Sequence, residues 1–121
     1  MTTVRLWRPV GEKELALIVE LGWRRFPPRL DWQPIFYPVL SEDYATKIAR
    51  EWNTKDGGTG YVTTFEVDGA YLSRYEPHEA GGREHREYWI PAEQLELFND
   101  AIVGEITVVA EYRGDPPRRI R

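Results

Sequence analysis

The sequence predicts an α+β domain built on a bent or split mixed sheet with two to three helices. Apolar spacing of period two and of period 3.6 alternates along the chain, in the order β-α-β-α-β followed by β-α-β. The helical segments are too few to cover both faces of a parallel sheet. The 121 residues amount to one domain, which can bury a core without disulfides. We expect this domain over residues 1–113, followed by a basic C-terminal tail over 114–121.

The first elements are a strand over Thr3–Arg8 and a helix over Glu12–Leu21. The strand shows alternating side chains, and the helix carries apolar residues at helical spacing. Gly22 stands where a left-handed residue ends a helix. The following stretch, Trp23–Gln33, contains two adjacent prolines, which are incompatible with a regular helix or a central strand. We therefore predict a long structured connection there, of the kind that is often functional.

A second strand–helix unit follows this connection. Ile35–Val39 is predicted to be a short strand at an edge or with a break at Pro38. Ser41 is predicted to cap the next helix, with acidic residues in its first turn. Its predicted apolar face consists of Tyr44, Ala45, Ile48, Ala49 and Trp52.

The second half of the sequence is predicted to contain more strand than helix. We expect a strand with a β-bulge over Tyr61–Val67, a helical or irregular turn over Ala70–Tyr75 and a glycine loop over His78–Arg83. A strand over Glu87–Ile90, a helix that starts at Pro91 and continues over Ala92–Phe98, and a closing strand over Gly104–Tyr112 are expected to follow.

Composition excludes several classes of function. The chain has no cysteine and two histidines, so no metal site is predicted. Its net charge of −4, with both signs intermixed, does not indicate a uniformly basic face for duplex DNA. The N-terminus lacks the apolar region of a signal peptide, and the longest apolar stretch, Leu15–Val19, cannot cross a bilayer. We expect a soluble cytoplasmic protein without a membrane partner.

Four features stand out as candidate functional residues. Arg8 ends the first strand, where its guanidinium could hold a phosphate or a ribose. The aromatic side chains of Gln33–Pro38 could stack on a base or a nicotinamide ring, and Glu87 could stabilise a cation or accept from a ribose hydroxyl. The loop Trp23–Arg29 could be a lid. Each also has a plain structural interpretation: an ion pair at a sheet edge, core packing, a solvated strand end and a stiff connection.

Several blocks of the sequence form a series: Leu6–Gly11, Glu14–Leu15 with Ile18, Gln33–Leu40, Tyr44–Ala45, Ile48–Ala49 and Glu87–Glu93. These blocks resemble short bacterial proteins labelled ADP-ribosylation/crystallin J, and their order resembles a minimal ADP-ribosyltransferase-like module. The resemblance covers nearly the whole chain except its C-terminal tail.

This resemblance implies NAD as co-substrate and assigns roles to four residues. Arg8 would contact the NAD ribose or phosphates, and Tyr37, or alternatively Tyr44, would stack on nicotinamide. Glu87 would bind the nicotinamide ribose and stabilise the positive charge that develops as nicotinamide leaves. Many arginine-modifying members of the resembling superfamily carry Glu or Gln two residues before that glutamate, where this chain has His85. The acceptor, a protein or a nucleic acid, therefore stays unassigned.

Two functions from different classes are consistent with these residues. The first is an NAD-dependent transferase or NAD-cleaving enzyme, which requires Arg8, Tyr37 and Glu87 to face one pocket. The second is a non-catalytic nucleotide-binding or protein-interaction module of the same fold, with the Trp and Arg side chains of the Trp23–Arg29 loop as its contact surface. A structural accessory protein is a third class, which Arg8 and Glu87 on opposite faces would favour.

Overall fold

The computed structural model describes residues 2–55 and 58–114, and most of the predicted basic tail lies outside them. The described chain contains seven strands and four α-helices. The strands are β1 Thr3–Gly11, β2 Ile35–Phe36, β3 Thr59–Asp68, β4 His78–Glu79, β5 Arg86–Glu87, β6 Ile90–Pro91 and β7 Ile102–Arg113. The helices are α1 Glu12–Glu20, α2 Glu42–Glu51, α3 Gly69–Leu72 and α4 Leu95–Asp100, the last preceded by a 3₁₀ turn over Ala92–Gln94.

The sheet is split into one large and two small antiparallel pieces. The large piece has the order β1-β3-β7, and the small ones pair β2 with β6 and β4 with β5. Val39 forms isolated antiparallel bridges to Trp7 on β1 and to Glu87 on β5, so it joins the β4-β5 hairpin to the large sheet. The α+β class and the split sheet are therefore confirmed. The prediction of a mixed sheet is wrong, since every strand pair in the described residues is antiparallel.

The helix count also exceeds the predicted two to three. The additional helix is α3, a single turn over Gly69–Leu72 in which the Asp68 side chain accepts from the backbone N–H of Ala70. A helix of four residues is too short to show apolar periodicity, and for this segment the sequence left helix and irregular structure both open. Its stability comes from the cap and from Leu72, which is buried.

The core lies between the large sheet and the helices that cross it. Four buried phenylalanines pack edge to face or tilted, with ring centroids 4.9 to 6.2 Å apart, and they join strands β2 and β3 to α4 and the long loop. They are Phe26, Phe36, Phe65 and Phe98. A smaller buried cluster of Val39, Ala45, Ala49 and Val62 seats α2 on the sheet.

Several local predictions are confirmed at the atomic level. The Ser41 hydroxyl accepts from the backbone N–H of Tyr44 at 3.1 Å, which is the expected N-cap of α2. Gly22 follows α1 with φ of 73°. The register between β3 and β7 shifts after Val62 and after Thr64, where a bulge was expected.

Other local predictions are wrong. Trp52 does not belong to the buried face of α2, because the helix ends at Glu51 and Trp52 is 63 % exposed. Ile35–Val39 is a two-residue strand, since Pro38 has no N–H for a continued ladder. Glu87–Ile90 is divided between β5 and β6, and helix α4 begins four residues after Pro91.

No helix within residues 2–55 and 58–114 is long and apolar enough to cross a membrane.

Candidate functional site

One pocket of about 310 Å³ contains all four residues that the sequence singled out. It opens between the end of β1, the β2–α2 connection, one side of α2 and strand β5. Arg8, Pro9, Arg29, Tyr37, Val39, Tyr44, Ile48, Asn53 and Glu87 line it. The bridges through Val39 hold β1 and β5 on either side of the connection and so bring Arg8 and Glu87 to the same pocket.

Glu87 presents a nearly buried carboxylate held by two donors. The residue is 9 % exposed. Its Oε1 accepts from the Tyr44 hydroxyl at 2.8 Å, and its Oε2 accepts from the indole Nε1 of Trp89 at 3.1 Å. A carboxylate has about four lone-pair sites, so each oxygen keeps acceptor capacity for a ligand. The arrangement fixes the orientation of the charge and leaves it able to bind a hydroxyl or a cation.

Aromatic rings flank this carboxylate on both sides. The Tyr44 ring stacks on His85 with centroids 4.7 Å apart, and Trp89 stacks on His78 at 3.9 Å. Burial, and after it the hydrogen bond and charge of Glu87, raise the pKa of Tyr44 to about 12. The Tyr44 hydroxyl therefore stays protonated and donates to Glu87 at neutral pH.

Arg8 is engaged within the protein on three of its five N–H donors. Its Nε and Nη2 donate to the two carboxylate oxygens of Glu14 at 2.6 and 2.8 Å, and its Nη1 donates to the backbone oxygen of Tyr37 at 3.2 Å. The guanidinium also lies over the Phe36 ring, 4.5 Å from its centroid. Two N–H donors remain for a ligand. Arg8 thus orders the pocket wall by pairing with a carboxylate, the structural alternative considered from the sequence.

Arg29 brings a second guanidinium to the same wall. Its side chain is 13 % exposed, and its Nη1 lies 3.8 Å from the Glu14 oxygen that already accepts from Arg8. Its Nε is buried with no hydrogen-bond partner among the described residues. Burial, followed by the positive charge of Arg8, lowers the pKa of Arg29, and Glu14 acts in the opposite direction.

Tyr37 and Asn53 complete the polar lining. Tyr37 lines the pocket and is 40 % exposed. Asn53 follows α2, and its Oδ1 is buried without a hydrogen-bond partner in residues 2–55 and 58–114. Gly60 allows this approach, because a Cβ there would lie 2.7 Å from the Cβ of Asn53.

Four residues that shape the site were not singled out individually from the sequence. They are Glu14, Arg29, Asn53 and Trp89. For Trp89 a signal existed, because residues two apart on an extended chain share a face and Trp89 is two residues from Glu87. The proline-stiffened loop was recognised, but nothing in its sequence distinguishes the arginine that faces the pocket from its neighbours. Arg24 is exposed, and Arg25 pairs with Glu96 and Asp100 on α4.

The tryptophans play a smaller part than their number suggested. No tryptophan lines the pocket. Trp23, expected at an exposed contact surface, packs against the core with φ of 63°. Trp32 is 75 % exposed on the long loop. Within residues 2–55 and 58–114 no group of three or more potential metal-ligating side chains occurs.

Comparison of the chain with protein-family models, with curated proteins and with solved structures found no match.

Proposed function

We propose that this pocket binds the nicotinamide-ribose end of NAD and that the protein transfers ADP-ribose to an acceptor or cleaves NAD, in the manner of an ADP-ribosyltransferase-like domain. The observation that carries the proposal is the placement of a nearly buried, doubly held Glu87 carboxylate in one pocket with two tyrosines and two arginines. Such a site offers negative charge for a developing cation and positive charge for an anion.

The size of the pocket supports part of a dinucleotide as the occupant. Ligand pockets typically measure about 300–1,000 Å³, and 310 Å³ lies at the low end of that range. A ring with its ribose fits this volume, and the remainder of NAD would extend over the surface. The half-exposed ring of Tyr37 and the Tyr44 ring are the surfaces on which nicotinamide would stack.

The chemistry assigned to Glu87 follows from its charge. When the bond between ribose C1′ and the nicotinamide nitrogen breaks, the electron pair leaves with nicotinamide and positive charge develops on the ribose. The fixed carboxylate stabilises that charge more than it stabilises the uncleaved substrate, which lowers the barrier. An acceptor, or water, then bonds to C1′ and gives up a proton.

A direct test compares Glu87→Gln with wild type. Glutamine keeps the shape and the acceptor for Tyr44 but removes the charge. We expect nicotinamide release from NAD to fall about 100-fold or more, the scale on which a fixed electrostatic group acts in a transition state, with binding largely retained. Glu79→Gln, which removes an exposed carboxylate from the neighbouring strand, is the matched control. Equal turnover by the two variants would refute the role of Glu87.

A non-catalytic nucleotide-binding or protein-interaction module is the second candidate. The observation that favours it is His85, which occupies the position of the acceptor-activating Glu or Gln in the resembling family and stacks on Tyr44. This function predicts that NAD changes the fluorescence of Trp89, whose indole touches Glu87, without release of nicotinamide. It also predicts that Glu87→Ala leaves partner binding intact.

A further inference from the structure

We propose that Arg29 is the residue that binds an anionic phosphoryl group of the ligand, with Arg8 and Glu14 as the pair that positions it. This inference rests on the proposed function for the identity of the ligand, but its physical basis is the state of Arg29 itself. It moves the phosphate contact from the first-strand arginine, which the sequence suggested, to an arginine of the long loop.

The first argument is the unequal use of the two guanidinium groups. Arg8 donates a bidentate pair of hydrogen bonds to Glu14 and a third to a backbone carbonyl. Arg29 has its nearest Glu14 oxygen at 3.8 Å, which is longer than a hydrogen bond, and its Nε has no hydrogen-bond partner in the described chain. The donors that await a partner therefore belong mainly to Arg29.

The second argument is charge. Two guanidinium groups share the one negative charge of Glu14, and Arg8 makes the short contacts to both of its oxygens, at 2.6 and 2.8 Å, whereas Arg29 lies 3.8 Å away. A charged side chain that is 13 % exposed is costly to bury without full pairing. A phosphoryl group would supply the missing negative charge, and two of its oxygens would accept from the planar guanidinium in a bidentate manner, for which arginine is well suited.

The third argument is rigidity. Arg29 follows Pro27 and Pro28, whose rings fix the backbone, and the Phe26 backbone is tied to Asn99 by two hydrogen bonds of 2.9 and 3.0 Å. The Phe36 ring lies beneath both guanidinium groups. The backbone that carries Arg29 is thus held in place before a ligand binds, which lowers the cost of ordering the side chain.

The test uses inorganic pyrophosphate, inorganic phosphate and ADP-ribose as probes for the purified full chain, with calorimetric titration of wild type, Arg29→Gln and Arg24→Gln. Arg24→Gln removes the same charge from an exposed position of the same loop and is the matched control. We expect Arg29→Gln to weaken pyrophosphate and ADP-ribose binding about thirty-fold or more, as loss of a partner from a buried charge pair does. Arg24→Gln should change it less than about three-fold, the scale of a rim charge.

The probes separate the sources of the anion. Tighter binding of ADP-ribose than of either inorganic anion indicates a nucleotide phosphoryl group, whereas equal binding indicates a general phosphate site. Either result supports Arg29 as the anion ligand when Arg29→Gln weakens that binding and Arg24→Gln does not. Absence of measurable binding of all three to wild type would overturn the inference. So would equal affinities of Arg29→Gln and Arg24→Gln.

Unfolding separates a binding arginine from a structural one. Because Arg29 has only a long ion pair of 3.8 Å with Glu14 and its buried Nε has no hydrogen-bond partner in the described chain, Arg29→Gln should unfold at the same urea concentration as wild type or at a higher one. A clear decrease would show that Arg29 supports the fold and would overturn the inference.

Failure of the proposed function looks different: pyrophosphate binding would depend on Arg29, but NAD would be neither bound nor cleaved. Nicotinamide release with an unchanged KM for NAD in Arg29→Gln would refute the inference alone.

Discussion

Replacement of Glu14 by glutamine removes the carboxylate that the two arginines of the pocket share. Arg8 would lose a bidentate ion pair with N–O distances of 2.6 and 2.8 Å, and Arg29 would lose its nearest negative charge. Removal of one partner from a buried ion pair costs about 3–5 kcal/mol, because the other charge stays buried without compensation. The paired side chains are 10 % and 19 % exposed, so some water reaches them, and we expect a loss at the lower end, about 3 kcal/mol.

Urea unfolding followed by tryptophan fluorescence measures this loss. A decrease of about 3 kcal/mol in the free energy of unfolding corresponds to about 10 °C in Tm for a domain of this size. Glu12→Gln is the control, since Glu12 also lies in the first turn of α1 but is exposed. We expect the control to lose less than about 0.5 kcal/mol.

The double variant Arg8→Met/Glu14→Leu completes the argument. Replacement of a whole buried ion pair by apolar side chains is often neutral or stabilising, so the double variant should be more stable than Glu14→Gln alone. Two results would refute the reasoning: a Glu14→Gln variant as stable as Glu12→Gln, or a double variant less stable than Glu14→Gln.

Three further predictions concern the surroundings of the pocket. The folded-state pKa of Tyr44, about 12, lies above the ordinary value of 10, so its contribution to stability is complete below pH 10 and is lost as pH rises toward 12. Tyr44→Phe should flatten this alkaline decline in the free energy of unfolding, measured by urea melts, and an unchanged dependence on pH would contradict the prediction. Gly60→Ala places a Cβ against the backbone of α2 and should cost about 1–3 kcal/mol in thermal unfolding, whereas Gly11→Ala, whose Cβ meets nothing nearer than 3.7 Å, should cost less. Asn99→Ala leaves the N–H and C=O of Phe26 unpaired in a buried environment and should cost about 2–4 kcal/mol, with faster proteolysis of the long loop as an independent readout.

Local chemistry explains why parts of the fold were predictable from sequence. The cap at Ser41 and the left-handed Gly22 depend on residues next to one another in the chain. The bulge in β3 is visible as a break in alternation. By contrast, the division of Glu87–Ile90 into two short strands depends on partners far away, since Val39 pairs with Glu87 and Phe36 with Ile90. Periodicity within a segment carries no information about such partners.

The candidate site shows the same difference between features that are local in the chain and contacts between distant segments. Arg8, Tyr37 and Glu87 were named because their residue types in the predicted elements suit a nucleotide, and Tyr44 was named only from the family resemblance; all four line one pocket. Their partners were not named: Glu14 lies on α1, and Asn53 follows α2. Which arginine faces a ligand depends on hydrogen bonds between elements, and these exist only once the chain has folded.

The sequence by itself determined the α+β class, the exclusion of cysteine chemistry and the residue types from which a nucleotide site could be built, because these depend on composition and on spacing along the chain. The tertiary structure decided that all strand pairs of the described residues are antiparallel, that Glu14 is committed to Arg8, and that the Arg29 Nε has no hydrogen-bond partner in the described chain. The physical reason is that hydrogen bonds and ion pairs join residues distant in the sequence, and burial decides which charged group lacks a partner.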